Sequence, residues 1–359
     1  MNILLTANFK NGIFCNGLQQ NIATLAELVK SIGFTPIICI NHDIEECIDP
    51  PTDILIITNS ELKDYTDDIQ FILNTAWEIP RDIVKSIKKK NKYCKNINIL
   101  YGNSLLADIE RCSWQDHVAV NNEGIDEIWI SPHYRFSFNY FKTYYKTDKV
   151  LELPYIWSPK YIQMHEKIWN KTGLTCEYVP FKEKSVAILE PNLNITKHCL
   201  PSIALIDEFY SNYDASKLKS VTSFCSAKLT DKKYFKSIMW KFQLTKDNKI
   251  NFAGRMKISK IFAKLCNVVV SHQLLNALNY TYLEALYFNI PLVHNSEFIK
   301  DAGYFYPEYD TKLGAEALNS AINNHDANLD QYKKSADKVI ERYLPSNAEV
   351  LQKYKKLLQ

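Results

Sequence analysis

From one end to the other, the chain alternates short apolar runs with segments whose apolar residues recur at the helical period. That alternation leaves few folds open. A strand buried on both faces and followed by a helix packs as part of a parallel sheet covered by helices. In the first half, strands are expected near residues 2–7, 36–40, 53–58, 97–101, 127–131 and 150–153. Between the first two, Leu18, Ile22, Leu25, Ala26, Leu28, Val29 and Ile32 share one face of a helix that Gly33 ends. Prolines in Leu153-Pro-Tyr-Ile-Trp-Ser-Pro159, and then Pro180, break the rhythm and place a crossing between two halves around residues 154–184.

The rhythm then restarts. Strands are expected at 185–189, 220–225, 250–254, 267–271 and 291–294, and helices at 198–213, 256–265, 280–288, 313–323 and 329–343, with a last helix after Pro345. The expected fold class is α/β, with two Rossmann-like domains facing a cleft. Residues 1–165 form the first domain, closed by a C-terminal helix at 346–359 that crosses back to it, and residues 180–345 form the second. A length of 359 residues suits two domains of this size.

Composition narrows the function classes. A formal net charge of +3 carries no nucleic-acid signature. Nine cysteines are scattered singly with no Cys-x-x-Cys pair, which suits reduced thiols better than disulfides or a zinc site. The first residues lack the basic and apolar regions of a signal peptide, and no stretch is long and apolar enough to span a membrane. A cytoplasmic protein is expected. The aromatic cluster Phe136-x-Phe138-x-Tyr140-Phe141 with Tyr144-Tyr145 reads as a buried helix stripe.

Three loops at expected strand ends hold chemistry-bearing residues. After the strand that ends at Glu190 come Asn192, Asn194 and Lys197, the lysine at a helix entrance where it can neutralise a phosphate alongside the helix dipole. Gly254-Arg255 ends another strand; glycine permits close approach of a ligand and Arg255 suits a phosphate, although a turn with a surface charge reads equally well. His272 follows the apolar run Val268-Val-Val270, and Asn276, Asn279, Tyr280, Thr281 and Glu284 follow it into a helix. A carboxylate one or two turns into that helix is placed for a ribose. His294 reads as a core or edge histidine.

The run Leu278-Asn-Tyr-Thr-Tyr-Leu-Glu-Ala-Leu-Tyr-Phe-Asn-Ile-Pro-Leu-Val-His-Asn-Ser296 resembles a little-characterised group of GT-B proteins read as glycosyltransferases. These share an Asn-Tyr-x-Tyr-Leu-acid core followed by Pro-Leu-Val-His-Asn. Glu190-Pro-Asn-Leu-Asn-x-x-Lys197, Asn16-Gly17-Leu18-x-Gln20-Asn21, Tyr101-Gly-Asn103 and Ile156-Trp-Ser-Pro159 resemble the same group, so the likeness touches both halves. It implies transfer of a hexosyl or pentosyl group from a UDP- or GDP-sugar, bound by the second domain, to a glycan or other acceptor on the side of the first. Glu284 would hold the ribose, and Asn279-Tyr280-Thr281 with Lys197 the diphosphate. GT-B donor segments carry a second Glu eight residues before the first; here that position is Asn276, which can bond a hydroxyl but has no charge.

No Asp-x-Asp motif of the metal-dependent enzymes is present, so neither metal nor cofactor is expected. An inverting reaction would also need a base from the first domain, for which Asp108, Glu110 and His133 stand as alternatives. Asn16, Gly17 and Asn103 would line the floor of the cleft. Two other readings stay open: a catalytically silent nucleotide-sugar-binding or scaffold protein, and a GT-B-fold nucleotide-sugar epimerase.

Overall fold

Two parallel sheets organise the protein in a computed structural model that describes residues 1–14, 17–114 and 124–359. Each sheet belongs to its own unit, the first made of Met1–Ser158 with Arg342–Gln359 and the second of Pro159–Glu341.

The first unit contains, in chain order, strand β1 (Asn2–Ala7), helix α1 (Gly17–Ser31), β2 (Thr35–Ile40), β3 (Leu55–Thr58), β4 (Ile69–Asn74), α2 (Arg81–Lys90), β5 (Lys95–Leu100), α3 (Ser104–Trp114), β6 (Glu127–Ile130), α4 (Phe138–Tyr145) and β7 (Val150–Glu152). The strands lie in the order β3-β2-β1-β4-β5-β6-β7, each parallel to its neighbours. The chain therefore runs outward from β1 to one edge, returns to the other side of β1, and continues to the opposite edge. Ile3, Leu4 and Leu5 of the central strand are fully buried, which is why these runs are apolar throughout instead of alternating.

Two expectations change here. The central strand β4, Ile69-Gln-Phe-Ile-Leu-Asn74, was not among the strands expected from the sequence. A six-residue segment with four apolar residues between Asp68 and Thr75 carries no periodicity that separates it from a loop or a helix turn. The aromatic cluster is also only half core. Phe141 is buried, whereas Phe136, Tyr140 and Tyr144 are exposed, with the Tyr140 and Tyr144 rings stacked at 5.9 Å. One face of α4 packs on the unit and the other does not.

The second unit contains α5 (Lys160–Asn170), β8 (Lys184–Ile188), α6 (Cys199–Asn212), β9 (Leu218–Ser223), α7 (Lys233–Met239), α8 (Gln243–Lys246), β10 (Ile250–Phe252), α9 (Ile258–Lys264), β11 (Val268–Ser271), α10 (Tyr280–Tyr287), β12 (Leu292–His294), β13 (Tyr304–Phe305), α11 (Thr311–Asn323) and α12 (Leu329–Glu341). Its strand order is β10-β9-β8-β11-β12-β13, again all parallel. The core on one face joins Ile203, Leu205 and Phe209 of α6 to Leu318 and Ala321 of α11 over Val268, Val270 and Val293. Gly303 turns the chain into β13 at φ +71°, where a Cβ would meet the His294 ring at 2.8 Å. Only glycine fits both the conformation and the space.

The last helix, α13 (Ala348–Leu357), belongs to the first unit. Asn347 caps it by accepting from the Glu349 and Val350 amides at 2.9 and 3.3 Å. Tyr354, fully buried, donates to the Pro154 carbonyl at 2.9 Å.

Candidate functional site

In an open parallel sheet, the place where the strand order reverses leaves a crevice outside the carboxyl ends, because the loops on its two sides diverge. In the second unit this switch point lies between β8 and β11, which are neighbours in the sheet but far apart in sequence. The loop after β8 carries Glu190 to Lys197, and the loop after β11 carries His272 to Asn279.

Glu190 is the centre of this place. Its side chain is 1 % exposed. The Ser271 hydroxyl donates to Oε1, Gln273 Nε2 donates to Oε2 at 3.1 Å, and the His272 backbone amide also donates to the carboxylate. Burial pushes the Glu190 carboxyl up to about 7, against the pull of the Ser271 hydrogen bond and of the Lys197 charge. The same burial holds the Lys197 ammonium below its usual value, and Glu190 opposes that shift. Two opposite charges thus share one desolvated pocket, each supporting the ionised form of the other.

Hydrogen bonds stitch the surrounding loops together. Leu274 N donates to Thr196 O at 2.9 Å, joining the loop after β8 to the loop after β11. Asn295, just beyond β12, accepts from Gln273 N and donates to Gln273 O, both at 3.0 Å. Asn192, at φ +55°, accepts from the first amide of α6 (Cys199 N, 2.8 Å) and donates to Glu190 O at 2.8 Å. Its side chain shapes the loop from within. Asn194 is exposed and accepts from the Thr196 hydroxyl at 2.6 Å.

The residues expected around α10 come together at the same place. Asn279 is the N-cap, its Oδ1 accepting from Tyr282 N at 3.1 Å. Its Nδ2 is buried and lacks a hydrogen bond of good geometry to any described residue, although it lies close enough to the Tyr282 hydroxyl to favour that group's ionised form. Tyr280 and Glu284 are buried on α10 and Thr281 is half-buried. Asn276 is buried and its Nδ2 donates to Gln273 Oε1. His272 is 2 % exposed, its Nδ1 lies 2.8 Å from the Tyr306 hydroxyl, and its Nε2 has no partner among the described residues. Burial lowers the His272 imidazole to about 4, so it is neutral near pH 7. His294 differs: Nδ1 accepts from Ser296 N and Nε2 faces Ala302 O at 2.8 Å, so both ring nitrogens hold the turn.

Gly254 and Arg255 follow the edge strand β10 and are exposed; a Cβ at Gly254 would meet open space. Both Arg255 and Glu190 act electrostatically on the Cys225 thiol beyond β9, so the ends of β10, β9 and β8 form one continuous rim.

The first unit has its own switch point, between β1 and β4. There the Thr6 hydroxyl accepts from Thr75 N at 2.9 Å and donates to Trp77 O at 2.7 Å, tying the ends of the two strands. Gly17 begins α1; Asn16 lies outside the described residues. Asn103 caps α3, accepting from Leu106 N at 3.2 Å. Asp108 and Glu110 lie two residues apart on α3 and so on different faces. Burial raises the Asp108 carboxyl, with Arg111 at 3.8 Å opposing. His133 follows β6, buried, with its ring 3.9 Å from that of Tyr134.

Three residues that the sequence reading did not select stand in these sites. Glu190 was read only as a strand end, although a carboxylate directly after the apolar run Val186–Leu189 was a signal. Gln273 carries no signal of its own. Glu78 follows β4, accepts from Asn98 Nδ2 at 2.8 Å, and has its carboxyl raised by burial; it was hidden by the unrecognised strand before it. Among the described residues, no group of three or more His, Cys, Asp or Glu side chains is placed to hold a metal ion, and no helix is long and apolar enough to cross a membrane.

Solved structures share this architecture. A glycosyltransferase from Rickettsia africae superposes with a TM-score of 0.59 at 13% identity, over 99% of this chain and 97% of that one. An alpha-glucosyltransferase in complex with UDP gives 0.62 at 11% identity, over 100% and 99%. The catalytic domain of starch synthase IV from Arabidopsis thaliana, bound to ADP and acarbose, gives 0.65 at 10% identity, over 99% and 98%. At such identities the likeness is one of fold, and that fold is GT-B. No curated protein matches the chain in sequence. The family model described as "Protein of unknown function (DUF2827)" matches residues 3–358, and the chain belongs to that family.

Proposed function

We propose that the protein is a glycosyltransferase that moves a hexosyl or pentosyl group from a UDP- or GDP-sugar to a hydroxyl of a glycan or other acceptor, without a metal. The observation that carries this reading is a buried nitrogen left without a hydrogen-bond partner among the described residues, His272 Nε2, at the switch point of the second sheet. A buried polar group left without a partner costs about 1–3 kcal/mol, so such groups persist where a ligand completes them. Beside it lie Lys197 and the N-terminal end of α10, whose dipole suits a diphosphate, and Glu284 farther along the same helix, which suits a ribose.

In the reaction, the bond between the anomeric carbon and the diphosphate oxygen breaks and one to the acceptor oxygen forms. The acceptor proton passes to a base and the nucleoside diphosphate leaves with one more negative charge. In this reading Lys197 and the positive end of the α10 dipole offset that developing charge, a preorganised arrangement of the kind that lowers a barrier most. The base is sought in the first unit among Asp108, Glu110, His133 and Glu78.

Calorimetric titration with UDP, GDP, CDP and dTDP, without metal and then with Mn²⁺, tests the reading. Metal-free binding of one nucleotide is expected, weakened in Glu284→Ala by about 1–3 kcal/mol as charge-assisted hydrogen bonds are lost. If none of the four binds under either condition, the donor-site assignment is wrong.

A further inference from the structure

His272 stands at the switch point of the second sheet with one ring nitrogen engaged and the other open. Nδ1 lies 2.8 Å from the Tyr306 hydroxyl, and Nε2, on a residue that is 2 % exposed, has no partner among the described residues. The Tyr309 ring packs against the imidazole with 4.2 Å between centroids, which limits how the ring can turn. The two ring nitrogens point in nearly opposite directions, so Nε2 faces away from Tyr306.

The contact with Tyr306 decides which nitrogen carries the proton. A neutral imidazole donates at one nitrogen and accepts at the other, and the hydrogen bond made by one fixes the role of the other. Burial keeps this imidazole neutral near pH 7. Tyr306 is buried too, and its hydroxyl has no other acceptor among the described residues. If Nδ1 donated, the phenolic proton would be buried without an acceptor, and an unsatisfied buried donor costs its full desolvation. If the phenol donates to Nδ1, both groups are satisfied. The imidazole proton then sits on Nε2, and the open nitrogen is a donor.

We propose that His272 is a neutral hydrogen-bond donor to the nucleoside diphosphate, offering Nε2–H to a diphosphate oxygen, and that Tyr306 is the positioning residue that fixes this tautomer. This rests on the donor-site reading given above. A diphosphate oxygen accepts and does not donate, so it complements a nitrogen that donates and does not accept. The surroundings favour an anion. The loop that follows His272 is tied to the Lys197 loop by the bond from Leu274 N to Thr196 O and leads into the N-terminal end of α10. With its proton on Nε2, His272 does not serve as a base at that nitrogen.

Nitrogen NMR of the full chain carrying isotope-labelled histidine, with and without nucleotide, tests the proposal. The His272 signals are identified by their loss in His272→Phe and in His272→Gln. Near pH 7 the free protein is expected to show an imidazole protonated on Nε2 and hydrogen-bonded at Nδ1. UDP or GDP, whichever binds, is expected to shift Nε2 and its proton toward a stronger hydrogen bond and to leave Nδ1 in place. UDP-glucose or GDP-mannose is expected to give the same shift. By calorimetry, His272→Phe is expected to bind the diphosphate about tenfold more weakly than wild type, the loss of one hydrogen bond to a charged group. His272→Gln keeps an amide donor near the place of Nε2 and is expected to recover about threefold of that loss. In Tyr306→Phe the Nδ1 signal is expected to move to that of an imidazole nitrogen without a hydrogen bond, with the proton shared between the two nitrogens.

A free protein with the proton on Nδ1, or with a charged imidazole, would overturn the proposal. A diphosphate that binds while the Nε2 signal stays in place would overturn the contact and leave the donor site standing. A shift produced by the sugar nucleotide alone would overturn the diphosphate as the acceptor and assign a sugar hydroxyl instead. Unaltered His272 signals in Tyr306→Phe would remove Tyr306 from its positioning role. If His272→Phe does not fold, His272→Gln identifies the signals and the wild-type spectra decide. If no nucleotide binds the wild type, the donor-site reading fails and this contact fails with it.

Discussion

A carboxyl group buried as fully as Glu190 links the stability of its domain to pH. An unfolded chain releases that proton near pH 4.3, whereas the folded protein holds it until about pH 7. The folded state therefore binds more protons between these values, and its stability from this group, complete below pH 4, is lost as pH rises toward 7. Glu190→Gln removes the linkage. Chemical unfolding at pH 5 and pH 8 is expected to show wild type losing about 2–3 kcal/mol more than the variant, the part of the linkage that falls within that interval. A parallel decline in both proteins would mean that Glu190 is ionised throughout. The residue was legible as a carboxylate at a strand end, but not as buried, since burial depends on loops more than eighty positions away. Asn279 differs: the sequence reading takes it for a phosphate-binding residue, and the structure shows it capping α10 through a hydrogen bond that spans only three residues.

At the scale of elements, the sequence is clearest where periodicity is long and least clear where it is short. Helix α1 shows its apolar face over four turns, and Ile22, Leu25, Ala26, Leu28 and Val29 of that face are buried, together with Gln19, Gln20, Asn21 and Thr24 beside it. Helix α4 spans two turns and is aromatic on both sides, so composition alone could not say which rings are core. The packing around it decides: Phe141 touches the cluster of Ile128, Ile130, Tyr134 and Val150, while Tyr140 and Tyr144 face outward. Phe141→Ala is expected to destabilise the protein by about 3–5 kcal/mol, the range for emptying an aromatic core site. Tyr140→Ala and Tyr144→Ala are each expected to change stability by no more than about 0.5 kcal/mol. Urea unfolding of the three variants distinguishes them, and comparable losses for all three would restore the stripe to the core. Strand β4 makes the same point for sheets. Its burial comes from lying between β1 and β5, a placement its six residues do not announce.

For the molecule as a whole, the two units differ in how the chain builds them. The second is one continuous stretch, Pro159–Glu341, whereas the first needs Arg342–Gln359 returned to it. A continuous unit with its own sheet and core has what an independent domain requires. Residues 159–341 expressed alone are therefore expected to unfold cooperatively and to bind the nucleotide recognised by the full chain within about threefold, since the residues assigned to the donor site all lie inside it. Circular dichroism and calorimetry check this, and a folded fragment without affinity would place essential donor contacts in the first unit. By itself the sequence determined the alternation of strand and helix and the helix carrying Glu284, because each is written in residues that touch their near neighbours. Only the tertiary structure decided that Glu190 meets Lys197, Ser271, Gln273 and, through Gln273, Asn276. The order of strands in a parallel sheet is set by crossovers and by the packing of whole helices, and no local pattern records that β8 and β11, whose paired residues are 82 positions apart, lie side by side.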